Sequence, residues 1–374
     1  MSSAMERWKR SLDGADTYCE ICSRECINRY CDECAPAAPP PAATVNFHPE
    51  ARLQGHKDRV YDLAWEPDGR RLASVGQVGG FVWNGAEERV TLEGDELMRV
   101  CWDGAAHVLC GDSLGKVRVC SAFDGRPAAT LDTNQDDEIY GLEVLPGDGR
   151  LAVGAGETAQ VWDVAAASRV ARTTFARAEA GVVFGGERNP EARAYVFDIA
   201  VRGRVLCCAL SDGTTRLLDA RTLQAIGSLD AHAQRGSCAL AVAVAPEPAA
   251  PLLASADQSG AVLLYDMRRL GDGPVAESQL PGGIHALAFV GSGPLVVSGG
   301  NDGTLRAHET RGMAVEGSAT VVNKVLCIEA APDPAAPRVA SAGGTGNVIS
   351  DAGINVWRIE SGPADFAARV RELL

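Results

Sequence analysis

The stretch Val60-Tyr-Asp-Leu-Ala-Trp-Glu-Pro-Asp-Gly-Arg-Arg-Leu-Ala-Ser-Val-Gly76, followed by Gly80-Phe-Val-Trp83, decides the fold. It contains two short runs of apolar and small residues, separated by a Pro-Asp-Gly turn. A third run then opens at a glycine. Short apolar runs bounded by Gly, Pro and Asp are typical of β-strands joined by tight turns.

This unit recurs along the chain, with comparable starts at Ile139, Val196 and Ile284. The glycine that opens the third strand gives the spacing, which averages about 45 residues, as in propeller blades. These glycines are Gly79, Gly115, Gly156, Gly213, Gly260, Gly303 and Gly346. The repeat predicts an all-β fold, a seven-bladed β-propeller of four-stranded antiparallel blades.

The ends of the repeat region predict how the ring closes. The seventh unit ends with its third strand, which begins at Ile354, and the stretch from Thr44 to Leu53 precedes the first unit. We expect that stretch to supply the outermost strand of the seventh blade, because this pairing would cover two sheet edges.

The chain divides into four segments by composition. We expect a Cys-rich segment at 1–34, a Pro/Ala linker at 35–43, the propeller at 44–359 and a short C-terminal helix at 360–374. In the last segment Phe366, Val370, Leu373 and Leu374 share one helical face. This face favours a helix that caps the propeller, and a partner-binding helix is the alternative.

The repeats resemble the WD-repeat family of β-propellers. The likeness rests on Gly55-His56, Ser74 and Trp83 in the first unit and on Trp162-Asp163 in the third. Turns that open with Asp112, Asp212, Asp257 and Asp302 add to it. The resemblance implies a structural, hydrogen-bonded group of His56, Ser74 and Trp83, and His232 occupies a similar position. We expect the turn carboxylates to bond to nearby backbone N–H groups.

The charge balance of 35 basic and 49 acidic residues gives a formal net charge of −14. Such a chain is poorly suited to electrostatic capture of nucleic acid or anionic lipid. It has no apolar run of about 20 residues, which a membrane-spanning helix needs, and no apolar leader. We therefore expect an intracellular protein of the cytoplasm and/or nucleus.

Five cysteines fall close together near the start of the chain and predict a structural zinc site. Cys19-Glu-Ile-Cys22 and Cys31-Asp-Glu-Cys34 are C-x-x-C pairs whose thiolates can complete a tetrahedral set. Cys26 is a fifth thiol, so the spacing leaves open which four bind. A redox-active dithiol and an incidental cluster are the alternatives.

No catalytic motif is present, so the sequence favours a non-catalytic scaffold that binds other proteins, with no evident small-molecule substrate. An enzyme that uses the propeller channel is a further alternative. Another is the substrate receptor of a cullin-4 ubiquitin ligase. Receptors of that kind carry a Trp-Asp-x-Arg box, which Tyr265, Asp266 and Arg268 resemble, and which Asp219 and Arg221 resemble less well. Asp-x-Arg also occurs as an ion pair at strand ends.

The entrances of the seven first strands predict where partners bind. In propellers of this family the first strand is innermost, so its first residues should lie near the channel mouth. Aromatic residues, Met and Arg are enriched in interface cores. The expected partner-binding residues are Arg59, Tyr61, Met98, Tyr140, Tyr195, Phe197, His285 and Lys324, with Arg188 and Arg193 in an insertion near 176–194. The second residue of each first strand, such as Tyr61 or Tyr140, belongs to what we call the Tyr61 column. The alternative is that this column fills the core between blades.

Overall fold

The computed structural model describes residues 43–133, 137–147, 149–175, 194–291, 295–333, 336–344 and 352–363. Residues Val45–Glu360 form one compact unit, which holds seven four-stranded antiparallel sheets. The innermost strand of each sheet contacts the innermost strands of the two neighbouring sheets, and the seventh contacts the first. The predicted seven-bladed β-propeller is confirmed.

Each of the first four blades is built from four consecutive strands, which we call a to d from the axis outward. Blade 1 is β2 (Val60–Trp65), β3 (Leu72–Gly76), β4 (Val78–Asn84) and β5 (Glu88–Asp95). Blade 2 is β6 (Leu97–Asp103), β7 (His107–Asp112), β8 (Lys116–Ser121) and β9 (Pro127–Asp132). Blade 3 is β10 (Ile139–Val144), β11 (Arg150–Ala155), β12 (Thr158–Asp163) and β13 (Ser168–Thr174). Blade 4 is β14 (Val196–Arg202), β15 (Val205–Leu210), β16 (Thr215–Asp219) and β17 (Ala225–Leu229).

The last three blades follow the same plan until the ring closes. Blade 5 is β18 (Ala239–Val244), β19 (Leu252–Asp257), β20 (Ala261–Asp266) and β21 (Ala276–Gln279). Blade 6 is β22 (Ile284–Phe289), β23 (Leu295–Gly300), β24 (Thr304–Glu309) and β25 (Val315–Thr320). Blade 7 is β26 (Val325–Ala330), β27 (Arg338–Gly343), β28 (Ile354–Pro363) and β1 (Ala43–Leu53).

The ring closes as predicted, because β1 pairs with β28 as strand d of blade 7. His48 of β1 lies 3.2 Å from Glu360 of β28. Strand β28 extends to Pro363, so residues 360–363 are strand and not the start of the expected C-terminal helix. The physical reason is that β1 offers a long pairing edge at this point. Residues 364–374, with Phe366, lie outside the described residues.

The core is divided among the boundaries between blades. Each of seven apolar clusters joins side chains of two adjacent blades: Val75 and Val108, for example, belong to the cluster between blades 1 and 2. Strands b are buried on both faces because they are sandwiched between neighbouring blades, whereas most of strand d faces solvent. The scattered cysteines, such as Cys110 and Cys208, are buried free thiols within this core.

Helices contribute little to the described part of the chain. They are α1 (Ala231–Gln234) and a 3-10 turn (Leu270–Asp272). Neither has the length and apolar character that crossing a bilayer requires.

Candidate partner-binding face

One recurring hydrogen bond defines a face of the propeller. In five blades the residue at the start of the b–c turn donates its backbone N–H to the carbonyl of the residue before strand a. The pairs are Gln77 with Arg59, Ser113 with Glu96, Ser211 with Tyr195, Gln258 with Cys238 and Asn301 with Gly283. We call this side the mouth face, because the strands that line the channel begin there. The c–d turns lie on the opposite face, since the strands alternate in direction.

A β-bulge occurs at the entrance of every strand a. In blade 1, for instance, Val60 pairs with Gly76 and Asp62 with Val75, so Tyr61 is the extra residue. The bulge residues of the seven blades are Tyr61, Met98, Tyr140, Phe197, Leu240, His285 and Leu326. Bulges re-aim side chains out of the regular alternation of a strand. The column that the sequence analysis singled out is therefore a column of bulge residues.

Most of these bulge residues are half-buried, which leaves part of each side chain at the channel mouth. Tyr61, Tyr140, Phe197 and His285 are in this group. Met98 is only 6% exposed and offers little surface to a partner. The column thus contains both surface and core positions.

Two aromatic rings pack against each other at the mouth. Tyr140 and Phe197, from blades 3 and 4, form a T-shaped pair with ring centroids 6.1 Å apart. The Tyr140 hydroxyl donates to the Glu138 carboxylate. Burial, followed by this hydrogen bond, raises the pKa of Tyr140 above its usual range. The rings are therefore held in place before any partner arrives.

Arg99 lies beneath these rings and ties four blades together. Its guanidinium is 5.9 Å from the Tyr140 ring centroid. The bulges remove carbonyl groups from regular strand pairing, and Arg99 donates to these groups. Its acceptors are the carbonyl oxygens of Tyr140 at 2.7 Å, Phe197 at 3.1 Å, Met98 at 3.3 Å and Tyr61 at 3.5 Å.

Below Arg99 the channel is acidic. The third and fifth positions of strands a place Asp62, Glu143, Asp198 and Glu329 along it. Burial, followed by the charges of Asp198 and Asp62, raises the pKa of Glu143 to about 8. Burial also raises the pKa of Asp198 to about 7, although Arg99 opposes this shift. The Asp62 and Asp198 carboxylates additionally accept the backbone N–H groups of Val100 and Val242, at 2.8 and 2.9 Å.

The residues that precede strand a differ in exposure. Tyr195 is 44% exposed, Lys324 is exposed and Arg59 is half-buried. Arg188 and Arg193, in the expected insertion, lie outside the described residues.

Hydrogen-bonded groups within the blades account for several of the other polar residues. Trp83 donates from Nε1 to Ser74 Oγ at 2.8 Å, and His56 Nε2 lies 2.7 Å from the same oxygen. In blade 5, His232 lies 2.8 Å from Ser255 Oγ and 3.0 Å from Asp257 Oδ2. Although this is a Ser-His-Asp arrangement, its serine is 1% exposed, so a substrate could not reach it.

The turn aspartates act as predicted. The Oδ1 atoms of Asp112 and Asp257 each accept two backbone N–H groups of their own turns, at 2.8 to 3.0 Å. Asp212 and Asp302 each accept one, from Thr214 and Thr304.

The strand-end Asp-x-Arg segments form ion pairs. Arg268 donates to both oxygens of Asp266, at 2.9 and 2.6 Å. The side chain of Tyr265 is buried in the core of blade 5. One blade earlier, Asp219 Oδ1 accepts the backbone N–H of Arg221 at 3.1 Å, and its Oδ2 accepts a bond from Arg204.

The predicted zinc ligands Cys19, Cys22, Cys26, Cys31 and Cys34 lie outside the described residues. Among the residues that are described, no set of three or more His, Cys, Asp or Glu side chains is arranged to hold a metal ion.

Sequence reasoning missed Arg99 and the channel carboxylates. Arg99, Asp62 and Asp198 occupy the third position of strand a in their blades, while Glu143 occupies the fifth. The alignment of first strands that identified the Tyr61 column also shows the charged residues at the third and fifth positions. A charged residue in an otherwise apolar inner strand was the available signal.

Comparison with known proteins agrees with this architecture. The family model described as WD domain, G-beta repeat matches residues 47–79 and 277–308, which fall in blades 7 and 1 and in blades 5 and 6. A guanine nucleotide-binding protein subunit beta of Nicotiana plumbaginifolia is 28% identical over 189 residues, 45% of this chain and 46% of the relative. Coronin-7 of Rattus norvegicus is 31% identical over 111 residues, 26% of this chain and 11% of the relative. The match thus spans about half of the first relative and a smaller part of the second.

A solved structure, the WD40 β-propeller domain of Doa1, superposes with a TM-score of 0.65. It covers 83% of this chain and 97% of its own, at 18% identity, and so supports the fold alone. The chain therefore contains repeats that the WD domain, G-beta repeat model recognises, and it has the β-propeller fold.

Proposed function

We propose that the protein is a non-catalytic scaffold that binds other proteins on its mouth face. The observation that carries this proposal is the bulge at the entrance of each strand a. It turns Tyr61, Tyr140, Phe197 and His285 away from the regular alternation and leaves each of them partly accessible.

The chemistry of this face suits protein binding. Aromatic side chains bury large areas at a small entropic cost and dominate many interface cores. Here the Tyr140–Phe197 pair is already ordered, and Tyr195 adds an exposed ring nearby in the chain. Some of the matched relatives are by name subunits of guanine nucleotide-binding proteins, and so belong to protein assemblies. This supports a role in assembly for the present chain.

Affinity purification with mass spectrometry from the native cell tests the proposal. We expect the Tyr61→Ala/Tyr140→Ala variant to lose partners that the wild type recovers. Phe123→Ala is the matched control, because Phe123 is 68% exposed in the c–d turn of blade 2, on the opposite face. The proposal fails if both variants recover the wild-type partners. It also fails if the double variant loses partners only because it unfolds, as its melting temperature would show.

The ligase-receptor alternative has no specific observation in its favour. The Arg268 guanidinium already bonds to both oxygens of Asp266, the strand-end ion pair that the Asp-x-Arg pattern also predicts.

We also propose that Cys19, Cys22, Cys31 and Cys34, with Cys26 as an alternative ligand, hold a structural zinc ion. The support is the spacing of two C-x-x-C pairs. A segment of this size cannot bury a large core, so bound metal would supply much of its folding free energy.

A further inference from the structure

We infer that the mouth face binds a partner segment that is basic and carries apolar side chains, and that the segment contacts a rim over blades 1 and 2. This inference rests on the proposed function and names the chemistry of the partner. The rim consists of Val78, Glu93, Asp95, Glu96 and Leu114, and we call it the acidic rim.

Backbone contacts place Val78, Asp95, Glu96 and Leu114 side by side, and Glu93 lies two residues before Asp95 on the same strand. Val78 and Asp95 are cross-strand partners in blade 1. The Glu96 N–H donates to the Gln77 carbonyl, and the Glu96 carbonyl accepts from Ser113, both at 3.1 Å. Gln77 precedes Val78 and Ser113 precedes Leu114 in the chain. The two apolar residues therefore flank Glu96 across the boundary between the blades.

The apolar members of the rim are unusually exposed. Val78 is 60% exposed and Leu114 is 65% exposed. Val78 opens strand β4 directly after the b–c turn of blade 1, and Leu114 lies in the b–c turn of blade 2. The corresponding stretch of blade 5, Asp257-Gln-Ser-Gly260, carries polar residues and glycine. Two exposed aliphatic side chains that flank one carboxylate can contact an apolar residue of a partner and a basic residue beside it.

The charge of this region is predominantly negative. Glu93 and Asp95 are exposed, and Glu96 is half-buried. Among the described residues, no basic side chain forms an ion pair with any of these three. Asp58, Asp137 and Glu138 are further acidic residues close before strands a, and Lys57, Arg59 and Lys116 are the basic residues near the rim in the sequence. A basic segment complements this surface, whereas an acidic segment or nucleic acid is repelled by it.

Glu96 joins the rim to the mouth. Burial raises the pKa of the Tyr61 phenol; Arg59 opposes this shift, and the carboxylates of Glu96 and Asp58 add to it. The Glu96 carboxylate is thus close enough to Tyr61 to act on its ionisation. Glu96 also has a φ of 49°, a left-handed conformation that is uncommon for a residue other than glycine. A partner that contacts Tyr61 could reach Glu96 in the same interface.

The test measures fluorescence anisotropy with two synthetic 15-residue probes. The first carries Lys and Arg on one helical face and Leu on the other, and the second replaces each basic residue with Glu. We expect the full-length protein to bind the basic probe at 50 mM salt and not the acidic one. The Glu93→Lys/Asp95→Lys variant should bind the basic probe at least about tenfold more weakly. Val78→Ser/Leu114→Ser should weaken it about tenfold through lost apolar contact.

Charge-matched controls separate the rim from the overall charge of the protein. Glu87→Lys/Asp272→Lys changes the net charge equally, at exposed positions in c–d turns on the opposite face. We expect this variant to bind the basic probe within about twofold of the wild type. Phe123→Ser is the corresponding control for lost apolar surface.

Three results would overturn the inference. The first is an equal loss of affinity for the basic probe in the rim and control variants, and the second is equal binding of the two probes. The third is an oligomer, seen in sedimentation, that Val78→Ser dissociates, because a second copy of the chain would then be the occupant of the rim. Failure of the proposed function looks different: the Tyr61→Ala/Tyr140→Ala variant would keep its cellular partners, whatever the probes do.

Discussion

The Nε atom of Arg99 donates to the carbonyl oxygen of Tyr140 at 2.7 Å, across the boundary between blades 2 and 3. Tyr140 is a bulge residue, so this carbonyl falls outside the regular pairing of strands a and b. The same guanidinium reaches the bulge carbonyls of Tyr61 and Phe197. One side chain thus serves backbone groups of four blades, counting the carbonyl of Met98 in its own blade.

Arg99→Met should therefore destabilise the propeller. The substitution keeps a long side chain but removes the donors to the bulge carbonyls, and a buried polar group without a partner costs about 1–3 kcal/mol. We expect a loss of about 2–4 kcal/mol in the free energy of unfolding, measured by urea denaturation. Arg70→Met is the control, since the Arg70 side chain is exposed at the surface. Equal effects of the two changes would contradict the bridging role.

Stability should fall as the pH rises from 5 to 9. Burial raises the pKa of Glu143 to about 8 and that of Asp198 to about 7. A carboxyl whose pKa is raised in the folded state stabilises that state most below its ordinary pKa. This stabilisation is lost progressively as the pH rises from the ordinary value to the raised one. Glu143→Gln should therefore raise the melting temperature at pH 8.5 and change it little at pH 5. A melting temperature that responds equally at both pH values would contradict this prediction.

The serine at the centre of the blade 1 group should be sensitive to truncation. In Ser74→Ala, Trp83 Nε1 and His56 Nε2 both lose the hydroxyl that they share. We expect a cost of about 1–3 kcal/mol, measured by thermal or chemical denaturation. Ser228→Ala, at an exposed position of strand d in blade 4, should change the stability by less than about 0.5 kcal/mol.

The zinc proposal predicts a defined metal content. The full-length protein, purified under reducing conditions, should contain about one equivalent of zinc by elemental analysis. Cys19→Ser/Cys22→Ser should lose it, while Cys207→Ser, at a buried thiol of blade 4, should keep it. Wild-type protein without stoichiometric zinc would refute the site.

The fold could be predicted from the sequence because its signals are local and repeated. Strands and turns depend on neighbours within one blade, as in the turns of Asp112 and Asp257. The regular glycine spacing then shows how often the blade is repeated. Closure by β1 was also predictable, since the seventh unit lacked one strand and the region before the first unit contained a spare one.

The site could be predicted only in part, because it is assembled from distant residues. Arg99, Asp62 and Asp198 come from three blades and approach one another only when the ring closes. The bulges were not predictable either, because an apolar run does not show which residue is extra. For that reason the alternation of strand residues left the orientation of Tyr61 open.

Photo-crosslinking in the native cell tests the central claim, that partners bind the mouth face, most directly. p-Benzoylphenylalanine would replace Tyr195, which is 44% exposed on that face, or Phe123, which is 68% exposed on the opposite one. We expect covalent partner adducts from position 195 and none from position 123. Adducts from position 123 alone, or equal adducts from both positions, would contradict this claim.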